Sequence, residues 1–136
     1  MQIVFREPPL FDLIDEQFHV KGKDVIYAWG DQIFNPAHIK IGPELLAHEA
    51  VHGARQMAFG GPIVWWRRYL IDPEFRLQEE LPAHRAELEI LLEMAKNRNE
   101  RRYWAKAIAK KLSSPMYGRM TTTAKAVRLL NNGGAV

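Results

Sequence analysis

Residues 44–56 read ELLAHEAVHGARQ, and the two histidines inside this segment constrain the chain more than any other feature. Leu45, Leu46, Ala47, Ala50, Val51 and Ala54 make the segment apolar enough for a helix packed on a core. Gly42-Pro43-Glu44 supplies a start: proline is preset for the first helical position, and an acid is favourable at the positive end of the helix dipole. Residues four apart on a helix stack on one face, so His48 and His52 present their rings side by side as a metal clamp. Glu49 is turned about 100° from His48 yet lies one turn from His52. It can reach something held by the metal without being a ligand. The fold therefore has to bring this helix against a second element that completes the site.

Cysteine is absent, which excludes disulfides and thiolate sites, so any zinc must be held by histidine and carboxylate. A length of 136 residues suits a single domain, 1–136, that buries about two thirds of its unfolded surface. No apolar run is long enough to span a membrane, so no membrane partner is expected. The opening MQIVFREPPLFDLIDEQF carries Arg6 and acids in place of a basic start and an apolar stretch, which points to a soluble cytoplasmic protein without a signal peptide. The net charge of +3 is unevenly spread: residues 1–95 carry 9 Lys/Arg against 15 Asp/Glu, and residues 96–136 carry 10 against Glu100 alone. A basic C-terminal third either binds nucleic acid or an acidic partner, or is a solvated helix face; no recognition motif accompanies the charge, which favours the second.

Before the histidine segment, DVIYAWGDQIFNP reads as two strands joined at Gly30-Asp31, since glycine in the first loop position suits a type II′ hairpin turn. HIKI at 38–41 extends the second strand in this reading, QIVF at 2–5 is a further candidate, and the first forty residues form a small antiparallel sheet. The histidine helix ends at Phe59 before GGP. IVWWRRYLI predicts a helix to Ile71, with Trp65 and Trp66 buried and Arg67 and Arg68 exposed. A longer helix is entered at Asp72-Pro73, its core side being Leu88, Ile90, Leu91, Leu92 and Met94. ERRYWAKAIAKKL continues as a helix after Asn97 or Asn99, and TTTAKAVRLL makes a last one with a threonine cap. The fold class is thus α+β, a small sheet on a mainly helical body.

HEAVH resembles the zincin metallopeptidases. A third histidine six residues on is missing, since Arg55 and Ala58 stand where that branch has glycine and histidine, so the resemblance is to the gluzincins, whose third ligand is a downstream glutamate. RLQEELPAHRAE matches their glutamate segment and implies Glu80 as third metal ligand after His48 and His52, with Ala83 packed against the motif helix and His84 beside the ligands. Pro82 departs from the pattern and would kink or start a helix, which leaves Glu79 open as the ligand, and His84 as well. The order hairpin, HExxH helix, WWRRYLIDPEFR, glutamate helix and SSPMYG is similar to small metallopeptidase-like proteins of phages and prophages, over residues 24 to 128.

The resemblance implies a zincin-like core and a zinc-dependent hydrolase acting on a peptide or protein. Zn2+ on two imidazoles and a carboxylate leaves a fourth position for a water of lowered pKa, with Glu49 as its general base. An oxyanion donor is then required, with Tyr117 first in line and Tyr103 and His84 behind it. The segment QIFNPAHIKI would be the sheet edge on which substrate pairs, lined by Asn35 and His38. The alternative is a non-catalytic module with a structural zinc closed by His84, binding nucleic acid or an assembly partner through its basic C-terminal helices.

Overall fold

The computed structural model describes residues 1–113 and 123–132. Within them the chain is mainly helical with a small three-stranded sheet. Strand β1 is Gln2–Val4, helix α1 Phe11–Phe18, β2 Tyr27–Trp29, β3 Gln32–Phe34, α2 Pro43–Phe59, α3 Pro62–Ile71, α4 Pro73–Met94, α5 Arg98–Leu112 and α6 Thr123–Asn132.

The hairpin forms where its turn chemistry places it. Gly30 has φ +61° and Asp31 is not in the left-handed region, as a type II′ turn requires. Tyr27, Ala28 and Trp29 pair antiparallel with Phe34, Ile33 and Gln32. The sheet is mixed, however, and not antiparallel throughout: β1 runs parallel to β3, Gln2 to Val4 facing Gln32 to Phe34, so the order is β1-β3-β2. Residues 38–41 do not extend β3. The chain turns away at Asn35, whose side chain accepts from the Ile39 N–H at 3.0 Å and donates to the Ile39 carbonyl at 2.9 Å, and His38 takes φ +56°.

Helix α1 breaks the expectation of an all-strand N-terminal region. Phe11 and Ile14 are buried at helical spacing, and Phe18 packs against them, but Leu10 at its N-cap offers no side-chain cap, so no start signal marks it. The later helices start and stop as their caps dictate. Gly60 closes α2 in the left-handed conformation, Asp72 accepts from the Phe75 N–H at 3.1 Å, and Asn97, rather than Asn99, accepts from the Glu100 N–H at 2.9 Å. The threonine cap expected for α6 falls outside the described residues.

Helix α4 runs unbroken through Pro82, which neither starts nor ends it. Proline removes one bond to the carbonyl four residues back. That carbonyl belongs to the exposed Gln78, where water can satisfy it. Met94 is 59% exposed at the end of α4 rather than in the core, while Leu88 and Leu91 are buried. Two apolar clusters flank the middle of the molecule: Leu77, Leu81, Leu88 and Leu91 with α5 and α6, and Phe11, Tyr27, Trp65, Trp66, Tyr69 and Phe75 with the sheet, α1 and α3. Between them α2 packs on α4.

That seam is polar. The buried positions of α2 are His48, Glu49, His52, Gly53 and Gln56, whereas Leu46 is 42% exposed and Ala50 and Ala54 lie outside. Facing them, α4 buries Glu79, Glu80, His84 and Glu87. Burying this many polar groups is stabilising only if they satisfy one another or a bound ion.

Candidate metal centre

Two helices build the site. Helix α2 supplies His48, Glu49 and His52, and α4 supplies Glu80, His84 and Glu87, spaced four and three residues apart and therefore on one face. The Nε2 atoms of His48 and His52 lie 3.1 Å apart. Glu80 sits across from both: His48 Nε2 to Oε1 is 3.3 Å and His52 Nε2 to Oε2 is 3.0 Å. His84 Nε2 is 3.5 Å from Glu80 Oε1, and one ligand atom each from His48, Glu80 and His84 fit within 4.8 Å of one another.

Glu87 orients the rings from behind. Its Oε1 lies 2.9 Å from His48 Nδ1 and 3.1 Å from His84 Nδ1, and its Oε2 accepts from Lys111 Nζ at 3.3 Å. With each Nδ1 turned to the carboxylate, both Nε2 atoms are left to face the centre, the arrangement that carboxylates impose on metal-binding histidines. Sequence reasoning missed Glu87, although the spacing Glu80, His84, Glu87 was a usable signal. It also missed Tyr69, whose hydroxyl donates to Glu80 Oε2 at 2.6 Å and fixes that carboxylate.

The charges follow from these contacts. Burial alone would lower the pKa of His48, but hydrogen bonds to Glu80 and Glu87 overcome it and push the ring up to about 10. Burial works against Glu80 too, yet the charge of His52 and the hydrogen bonds from His48 and His52 hold it well below the usual carboxylate range. Burial, then the neighbouring positive His48, lowers the pKa of His84. A neutral His84 that gives its one N–H to Glu87 has a bare lone pair on Nε2, and that buried atom has no hydrogen-bond partner. Glu49 is raised, mainly by burial, against the pull of His48 and His52 and with help from Glu80 and Glu87.

A metal ion fits this donor set. Ligands at about 2.0–2.1 Å around a tetrahedral ion lie about 3.3 Å from one another, close to the separations found here. The orphaned lone pair of His84 and the facing carboxylate of Glu80 also call for a cation between them. His48, Glu80 and His84 could hold it, and His52 Nε2, 3.0 Å from Glu80 Oε2, is in reach.

Glu79 does not compete. It accepts from Arg55 Nε at 3.0 Å, Arg55 Nη2 at 2.7 Å and Trp65 Nε1 at 2.7 Å, on another face of α4. Tyr117 lies outside the described residues. Tyr103 is 64% exposed on α5 and does not line the site, and His38 stacks on Phe5 at 4.6 Å instead of facing a cleft. Asn35 is spent on its own turn.

A pocket of about 270 Å³ opens at the centre, lined by Glu49, His52, Glu80 and Lys111 together with apolar residues such as Phe18 and Val25. The expected substrate edge is displaced. β3 is the central strand, so the free edge on the pocket side belongs to β2, and there the Ala28 carbonyl already accepts from Gln56 Nε2 and Trp66 Nε1, both at 3.0 Å. No protein-family model matches the chain, and neither a curated protein nor a solved structure matches it.

Proposed function

We propose that the chain is a zinc-dependent metallopeptidase of the gluzincin type, with His48, His52 and Glu80 as metal ligands and Glu49 as general base. The observation that carries this reading is the convergence of His48 Nε2, His52 Nε2 and both Glu80 oxygens beside a pocket that Glu49 also lines. Bound there, a zinc ion polarises a carbonyl and lowers the pKa of water towards neutrality.

The protein's own groups supply the rest. Glu49 takes a proton from the attacking water and returns it to the leaving amine, and its burial raises its proton affinity towards that task. Glu87 and Tyr69 hold the ligands in register, the first through His48 and the second through Glu80. Lys111, the one lysine or arginine among the described pocket residues and paired with Glu87 Oε2 at 3.3 Å, would be the donor to a developing oxyanion. His84 cannot take that part while its only N–H is given to Glu87.

Zinc content by elemental analysis, measured beside peptide hydrolysis, tests the reading. Wild type and Glu49→Gln should each hold one equivalent, and Glu49→Gln should lose hydrolysis by about 10²–10⁴-fold. An absence of zinc from wild type, or full activity in Glu49→Gln, overturns it.

One observation favours a second reading. His84 Nε2, buried and unpartnered, can close the shell with a fourth protein ligand, as structural zinc sites do. In that case His84→Ala loses zinc as severely as Glu80→Ala, and no peptide is cleaved.

A further inference from the structure

A second concavity, of about 590 Å³, lies far along the sequence from the metal centre, where α4 gives way to α5. It is lined by Lys96, Asn97, Arg98, Arg101, Arg102 and Asn131 together with apolar stems, and no acid is among its lining residues. Two acids adjoin it in sequence: Glu93, beside Leu92, is exposed, and Glu100 is occupied, its Oε2 accepting from the Lys96 backbone N–H at 2.6 Å. The groove also sits at the N-terminal turn of a 15-residue helix, where free N–H groups favour anions.

From this groove a stripe of cations continues along α5. Arg98, Arg102, Lys106 and Lys110 recur every fourth residue, are all exposed, and form no ion pair among the described residues. Each step rises about 6 Å, so the stripe is about 18 Å long. Tyr103, 64% exposed, lies three residues before Lys106 and seven before Lys110, on the same face. Unpaired like charges held on one helix repel, and an exposed aromatic ring among them offers a base a surface to stack on.

We infer that the groove and the outer face of α5 bind the phosphodiester backbone of a single-stranded nucleic acid, with Tyr103 stacking on a base. Charge complementarity sets the partner's sign, and the ring selects a strand with unpaired bases over a duplex or an acidic protein. The inference does not rest on the metal centre, and Glu49→Gln should bind as wild type does.

Fluorescence anisotropy with a labelled single-stranded DNA of about 20 nucleotides, from about 50 to 200 mM salt, tests it. Four phosphate contacts predict a slope of log K against log salt of about −3. Arg98→Ala/Arg102→Ala/Lys106→Ala should weaken binding and bring the slope towards about −1, with an unchanged melting temperature because all three side chains are exposed. Tyr103→Ala should weaken binding about tenfold at constant slope. Arg67→Ala, an exposed cation on α3, should change nothing. No binding by wild type, or equal binding by the triple variant, overturns the proposal. Equal displacement by polyglutamate at matched charge, or tighter binding of a duplex with no effect of Tyr103→Ala, does so as well.

Discussion

His48 and Glu87 meet at 2.9 Å through Nδ1 and Oε1, and the same oxygen lies 3.1 Å from His84 Nδ1. One carboxylate oxygen thus sets the orientation of two imidazoles that face the candidate metal centre. Glu87→Gln should leave the fold intact and weaken zinc binding by about 10–100-fold, the usual cost of losing such a support. Competition with a chromophoric chelator measures this; unchanged affinity would show that the rings are held by α2 and α4 packing alone.

Glu79 and Glu80 are adjacent and opposite in role. Glu79→Ala strips the buried Trp65 N–H of its partner and should cost about 1–3 kcal/mol of stability while zinc affinity holds. Glu80→Ala should lose the metal. Paired urea melts and zinc titrations separate the two, and a metal-deficient Glu79→Ala with normal stability would reverse the assignment.

Gly53 is where α2 touches the hairpin. A Cβ there would run into the Gly30 carbonyl oxygen, a backbone atom with no freedom to rotate away. The adjacent Gly30 N–H donates to Gln56 Oε1 at 2.7 Å, so any shift also stretches a buried hydrogen bond. Gly53→Ala should destabilise the protein by about 1–3 kcal/mol despite alanine's better helix propensity. A melting temperature at or above that of wild type would show that α2 and the turn are not in contact in solution.

Tyr27 contributes a pH dependence above pH 10. Burial, then the charges of Asp15 and Glu7, push its hydroxyl up to about 12 from the usual 10. The fold therefore favours the protonated form. Its contribution is complete below pH 10 and is lost as pH rises from 10 through 12. Urea midpoints should fall more steeply over that interval in wild type than in Tyr27→Phe, and parallel curves would contradict the shift.

Much of this protein is legible in its residues. The 43–59 helix, its glycine stop, the helix entry at Asp72 and the hairpin turn at Gly30 all depend on neighbours a few positions apart, and each formed where local chemistry puts it, while the choice of Asn97 over Asn99 as a cap was left to the structure. The pairing of His48 with His52 is likewise a property of one helix. Helix α1 was illegible for a local reason as well, since Leu10 gives no capping signal. The continuity of α4 through Pro82 was not legible, because the one hydrogen bond lost at the exposed residue Gln78 is outweighed by packing along the helix.

What tertiary structure alone decided is how the polar faces meet. Adjacent carboxylates on α4 look alike in sequence, yet about 100° of helix rotation sends Glu79 to Arg55 and Trp65 and Glu80 to His48 and His52. The parallel pairing of β1 with β3, which makes β3 central and leaves β2 as the pocket-side edge, joins segments about thirty residues apart and has no local signature. The sequence by itself determined that α2, α3 and α5 form where they do, though not α1, and which residues of α2 share a face. Rotation and docking of α4 against α2 determined which donors converge, because a helix fixes spacing along its own axis and leaves its azimuth to packing.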